Sequence, residues 1–158
     1  METELRKIRS TIVTFIVLLA LSGLTAFPIR SEIVFLLRHK GIFPPLLQNW
    51  IIELYTVIGQ TPDIMLYGTD WLAFAHLVIA LFFIGVYIDP VRNKFNVLVG
   101  MAACIAVLPL AFIMGHIRGI PFFHQLIDCS FGIIGFIPLC FIYRKINQIE
   151  SYHVSFIK

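Results

Sequence analysis

The residues of this sequence that could do chemistry are a few imidazole, carboxylate and guanidinium groups near the ends of apolar stretches. They are Asp70, His76, His116, Arg118, His124 and Asp128. An ionisable side chain within a membrane span is costly and is a functional candidate by default. Together these groups could bind a polar headgroup, hold a metal ion or transfer protons.

Their spacing predicts that they share one end of a helical bundle. His124 and Asp128 are four residues apart, which places them on one helix face. At about 1.5 Å per residue, His76 and Asp128 both lie roughly 8–9 Å inside their apolar stretches. An unpaired aspartate at that depth would be neutral or destabilising, so we expect His76 or Arg118 to be its partner.

Four interpretations of this cluster stay open. It could be a polar pocket for an amphiphile such as a quinone or a lipid headgroup. A metal ion could be held by His76, His124 and Asp128, or the same groups could relay protons. A buried ion pair that only fixes helix register is the structural alternative. No catalytic residue, enzyme class or cofactor is assigned.

The composition decides the environment of these groups. Of 158 residues, 59% are apolar and 13% are charged, whereas a soluble domain has about 25% charged residues. A small soluble domain buries only about two thirds of its surface, so lipid must cover the remaining apolar surface. This excludes a soluble enzyme, a disordered chain and a disulfide scaffold, and the modest net charge of +3 gives no reason to expect a nucleic-acid partner.

Four segments are long enough to cross about 30 Å of hydrocarbon as helices. They are residues 11–28, 71–88, 97–115 and 122–143. Because the apolar runs are continuous rather than alternating, helices are predicted and not a barrel. The expected fold is a single all-α membrane domain, a four-transmembrane-helix bundle with a tail at residues 144–158.

Residues 29–70 are predicted to form a small helical cap outside the cytoplasm. Ser31 is expected to cap a short helix that ends at Gly41. Pro44 and Pro45 should start a second, amphipathic helix that ends at Gly59. This second helix would lie in the membrane interface or cover the bundle, or it would dock a partner protein.

Basic residues predict the orientation, because they are enriched on the cytoplasmic side. They lie before the first span, after the second and after the fourth, namely Arg6, Lys7, Arg9, Arg92, Lys94, Arg144, Lys145 and Lys158. Both termini are therefore expected in the cytoplasm, in a cytoplasmic (inner) membrane. The first span could be a signal peptide, but Leu24-Thr25-Ala26 is a poor cleavage site.

Small and hydroxylated residues predict the packing seams, because they allow helix backbones to approach closely in lipid. In the first span these are Thr11, Thr14, Ser22 and Thr25. In the second they are Ala73, His76, Ala80 and Tyr87. In the third they are Gly100, Ala103, Cys104, Ala111 and Gly115, and in the fourth Gly132 and Gly135.

The function predicted from these patterns is a ligand-binding or accessory membrane subunit with its polar site near the extracytoplasmic face. The main alternative is a structural or assembly protein that binds another membrane protein or a second copy of itself. The third is a small enzyme or transporter that uses the histidine and aspartate groups for metal or proton chemistry.

Overall fold

A computed structural model describes the backbone of residues 2–156 and the side chains of residues 2–151, so Lys158, one of the basic residues used for orientation, lies outside it. Within this range the chain is helical, without strands. The helices are α1 (Glu2–Ala26), α2 (Ile29–Arg38), α3 (Pro45–Gln60), α4 (Asp63–Ile88), α5 (Lys94–Ile117) and α6 (Phe122–Phe156), with a 3-10 turn at Lys40–Ile42.

Four of these helices, α1, α4, α5 and α6, are long and apolar enough to cross a membrane. They correspond to the four predicted spans, but their ends differ. α4 begins at Asp63 rather than at residue 71, and α6 continues past residue 143 to Phe156. A helix continues through polar residues until a residue such as proline interrupts it, and Pro62 stands directly before α4. Hydropathy therefore predicts the apolar part of a helix but not its ends.

The contacts of the chain divide it into two compact units. The first unit comprises residues 1–17 and 80–158, and the second comprises residues 18–79. Both boundaries fall inside helices, so α1 and α4 each contribute to both units.

The core of the first unit is formed by branched aliphatic and aromatic side chains from four helices. Its fully buried members are Ile8, Ile12, Val86, Val97, Leu139, Ile142 and Ile146. The rings of Phe15 on α1 and Phe83 on α4 meet edge to face, with 4.9 Å between their centroids. Gly100 on α5 lies against Phe83 and against Leu139 on α6. The first unit is thus a four-helix arrangement.

α5 and α6 approach each other closely at Gly132. A Cβ built on Gly132 would lie 2.5 Å from the carbonyl oxygen of Cys104. Gly115 makes a similar close approach to Gln125, with 2.6 Å between its added Cβ and that side chain. The seams predicted for the third and fourth spans are confirmed at these glycines, although Ala103 of the same predicted set is exposed.

The seam predicted for the first span is wrong at three of its four residues, while Thr11 is partly buried. Thr14, Ser22 and Thr25 are exposed, and each hydroxyl donates to a carbonyl oxygen of its own helix. A hydroxyl that is satisfied within its own helix does not need a neighbouring helix. The buried residues of α1 include two isoleucines of its amino-terminal half, Ile8 and Ile12.

The second unit contains the end of α1, the helices α2 and α3, and the first part of α4. α2 packs on α3, with Ile33 and Ile51 buried. Arg30 connects α2 to the start of α4, because it pairs with Asp63 at 2.9 Å and donates to the carbonyl of Thr61 at 3.1 Å. Gly23 of α1 lies against α4 at Ala73.

Ser31 does not cap α2, contrary to the sequence prediction. The helix begins two residues earlier at Ile29, and the carbonyl of Pro28 accepts its first hydrogen bond from the amide of Glu32. Ser31 is already within the first turn. The prediction for α3 is confirmed, since Pro45 stands at its first position and needs no amide donor there.

Candidate polar site at the turn between α5 and α6

The six predicted site residues are divided between the two units. His116, Arg118, His124 and Asp128 surround the turn between α5 and α6 in the first unit, whereas Asp70 and His76 lie on α4 in the second. Four of the six therefore lie on or directly beside the two helices that flank one turn, while their grouping into one site, with or without Asp70 and His76, stays a prediction.

The turn is short because the end of α5 is closed by its own backbone. Gly119 has φ +68°, a left-handed conformation that glycine adopts without strain. This reversal lets the amide of Ile120 donate to the carbonyl of Gly115 at 2.8 Å and the amide of Gly119 donate to that of His116. Pro121 follows, and its carbonyl accepts the amides of His124 and Gln125. His116 and Arg118 are thus held a few residues from the start of α6.

Gln125 stabilises this turn and was not singled out from the sequence. It is a buried polar residue, and its side-chain amide donates to the carbonyl of Ile120 at 2.7 Å. Its side chain also fills the space left by the missing Cβ of Gly115. A single glutamine in an apolar helix gives no signal of its own in one sequence, and the signal that could have indicated its role is the facing Gly115.

His124 and Asp128 lie on one helix face, as their spacing predicted, and they contact each other, whereas His76 or Arg118 was the partner expected for Asp128. Nε2 of His124 lies 3.9 Å from Oδ1 of Asp128, and the two side chains are 33% and 45% exposed. At this distance the contact is electrostatic rather than a hydrogen bond, and it attracts only when the imidazole is protonated. The ion-pair partner of Asp128 is thus its neighbour on α6, because one helical turn brings that group closest.

Arg118 and His116 are exposed at the same turn. Among the described side chains of the first unit, Arg118 forms no ion pair with a carboxylate. The expected Arg118–Asp128 pair is therefore not formed. Arg118 is the C-cap residue directly after α5, where its backbone closes the helix while its side chain is exposed.

His76 is oriented by its own helix. Its Nδ1 lies 2.9 Å from the carbonyl oxygen of Leu72. Because a carbonyl oxygen only accepts, Nδ1 carries the hydrogen, and in the neutral ring Nε2 is then an acceptor. The Cβ of His76 lies against Gly23 of α1, which fixes where the ring leaves the helix. Asp70 is partly exposed on the same helix.

No three side chains of His, Cys, Asp or Glu in the described part of the chain are grouped closely enough to hold a metal ion. The metal alternative for His76, His124 and Asp128 stays a prediction, since these residues belong to both units. What the turn offers is a guanidinium, two imidazoles and a carboxylate, which can donate to and accept from a polar group.

Comparison with known proteins gave no match: no protein-family model, no curated protein and no solved structure is significantly similar to this chain.

Proposed function

We propose that this chain is a small multi-pass protein of a cytoplasmic membrane and that it acts as a ligand-binding or accessory membrane subunit. Its binding site would be the polar turn between α5 and α6, on the side away from the cytoplasm.

The observation that carries the membrane assignment is the exposure of large apolar side chains on all four long helices. Examples are Leu18 on α1, Phe82 on α4, Phe95 on α5 and Phe131 on α6, each more than half exposed. A soluble monomer rarely exposes apolar surface on this scale. Lipid chains can cover such a surface without cost.

The orientation is supported by ion pairs at one end of the first unit. Glu4 of α1 pairs with Lys145 of α6 at 2.7 Å, and Lys94 of α5 pairs with Glu150 of α6 at 2.5 Å. The chain's first turns, the start of α5 and the late part of α6 therefore meet at the same end. This end also carries most of the basic residues, which favours the cytoplasmic side.

The ligand-binding role is supported by the partial exposure of the polar turn. A structural ion pair in an apolar protein is expected to be buried and closely bonded. His124 and Asp128 are instead separated by 3.9 Å and are a third or more exposed. With Arg118 and His116 nearby in sequence, the turn can bind a headgroup or a carbonyl oxygen of an amphiphile such as a quinone.

Mass spectrometry of lipids and quinones that co-purify with the protein tests this proposal. We expect a retained species with the wild type that is lost in Asp128→Asn and in Arg118→Gln. Glu53→Gln is the matched control, because it removes an exposed carboxylate from α3. Circular dichroism should show the same helix content in all variants. An unchanged set of retained compounds in the two site variants would contradict the proposal.

A second candidate is an assembly role, and it is favoured by the large apolar side chains that α3 leaves exposed. These are Leu46, Ile52, Tyr55 and Val57, whereas Ile51 of the same helix is buried. Such a surface can lie in the membrane interface or contact a membrane protein or a second copy of the chain. Cross-linking from a cysteine introduced at residue 46 in intact membranes distinguishes these cases: an adduct with one protein of defined mass supports assembly, and its absence favours the interface.

A further inference from the structure

A second polar site lies at the end of the first unit opposite the turn between α5 and α6. It is an open groove of about 660 Å³ between the first turns of α1 and Tyr87 of α4. Two arginines, Arg6 and Arg9, lie in its lining together with the hydroxyl-bearing Ser10 and the apolar Val13. We propose that this groove binds the phosphate headgroup of an anionic phospholipid of the cytoplasmic leaflet.

Arg9 is already positioned for this role. Its Nε donates to the backbone carbonyl of Tyr87 at 3.2 Å, and its guanidinium carbon lies 5.7 Å from the centroid of the Tyr87 ring. These contacts hold the guanidinium in place and use one of its five N–H donors. The two terminal amino groups remain able to bind two oxygens of one phosphate.

Arg6 supplies the second positive charge. It is one turn before Arg9 on α1, so both side chains lie on the same face of the helix and line the same groove. Arg6 is exposed, and in the described part of the first unit no carboxylate forms an ion pair with it. The nearby Glu4 is engaged by Lys7 and Lys145 instead.

The groove also contains one carboxylate, that of Glu2. The two arginines outnumber it, so the groove keeps a net positive charge and favours a ligand with a single negative charge. A phosphodiester headgroup has this single charge. Free phosphate carries up to two charges and has no acyl chain that could contact the apolar part of the groove.

The apolar part of the lining favours a lipid over a free anion. Val13 lies in the groove, and Val17, one turn further along α1, is 49% exposed. The predicted span begins at residue 11, so these valines lie where acyl chains would continue from a headgroup at Arg6 and Arg9. Basic pockets between helices on the cytoplasmic side bind anionic headgroups, and tyrosine is common at this depth. The inference rests on the membrane insertion and orientation of the proposed function.

The test uses the full chain in mild detergent, titrated with phosphatidylglycerol, with phosphatidylcholine or with inorganic phosphate. Binding is followed by native mass spectrometry and by the midpoint of thermal unfolding. We expect phosphatidylglycerol to bind and to raise the midpoint, and Arg6→Gln/Arg9→Gln to weaken its binding about tenfold or more. Arg6→Gln alone, at an exposed side chain, should weaken binding severalfold without affecting the fold.

The matched control is Arg92→Gln/Arg144→Gln. It removes the same charge from two exposed arginines at the same predicted membrane side but outside the groove. Its affinity for phosphatidylglycerol should stay within about twofold of the wild type, because unspecific surface attraction is largely screened by salt. Equal losses in the two double variants would show diffuse surface charge and overturn the proposal.

Two further outcomes also overturn it. Equal binding of phosphatidylcholine would show that the charge is not recognised. Binding of inorganic phosphate as tight as that of phosphatidylglycerol would show a site for a free anion. Failure of the proposed function is distinguishable, because Asp128→Asn should keep phosphatidylglycerol binding, and a chain that does not insert would be found outside the membrane fraction.

Discussion

Replacement of Gly132 by alanine tests whether close contact between α5 and α6 holds the first unit together. The added Cβ would lie 2.5 Å from the carbonyl oxygen of Cys104 and 3.3 Å from the Cβ of Val107. Ordinary contact begins at 3.4 Å, so the shorter distance falls about 0.9 Å below it. The oxygen belongs to the backbone of α5 and cannot rotate away. The two helices would have to separate locally.

The loss of unfolding free energy in Gly132→Ala can be separated into a packing cost and a helix-propensity gain by comparison with Gly68→Ala. Forcing one extra carbon into a packed interface costs about 1–3 kcal/mol. Alanine also favours the helix over glycine by about 1 kcal/mol. Gly68 lies within α4, and an added Cβ there meets nothing within 4 Å, so Gly68→Ala contains the helix term alone. The difference between the two variants should therefore be the packing cost, about 1–3 kcal/mol.

The assay is reversible unfolding in mixed detergent micelles, followed by circular dichroism for the wild type and both variants. We expect Gly132→Ala to be less stable than Gly68→Ala by this amount. Gly135→Ala should lie between them, because its Cβ would meet the movable Sγ of Cys104 at 3.1 Å. If Gly132→Ala were as stable as Gly68→Ala, the close packing of α5 on α6 at this position would be refuted.

Two further predictions concern the ion pair between α5 and α6 and the orientation of the chain in the membrane. Lys94→Glu and Glu150→Lys should each lower the free energy of unfolding by about 0.5–1 kcal/mol, because each replaces the 2.5 Å ion pair with two like charges. In a double-mutant cycle, the variant with both exchanges should recover most of this loss. Additive losses would mean that the contact is not a stabilising pair. The orientation is tested by single cysteines in a variant without the native ones. Glu53→Cys should react with an impermeant maleimide added to intact cells, whereas Arg92→Cys should react only after lysis. The reverse pattern would show that the proposed orientation is inverted.

Hydropathy was sufficient to predict the four long helices, because a continuous apolar run of about 20 residues can satisfy its backbone in lipid only as a helix. It could not predict where those helices end. Asp63 starts α4 eight residues before the predicted span, because a helix continues through polar residues until Pro62 interrupts it. Pro45 gave the start of α3 correctly, because proline fits the first turn for a local reason.

The packing seams were also predicted correctly in one place and wrongly in another. Glycines predicted the approach of α5 and α6, because only a residue without a Cβ fits at 2.5 Å from a carbonyl oxygen. The prediction from hydroxyl residues failed for α1, because the hydroxyl of Thr14 can donate a hydrogen bond either within its own helix or to a neighbouring helix. The sequence does not distinguish these two cases.

The polar residues of the turn were visible in the sequence, but their partners were decided by the tertiary structure. The four-residue spacing determined that His124 and Asp128 meet, because that contact lies within one helix. The roles of Gln125 and of Arg9 depend on Gly115 and on Tyr87, which are distant from them in sequence or lie on another helix. Periodicity within one helix determines which residues share a face, whereas contacts between helices depend on how the chain brings separate helices together.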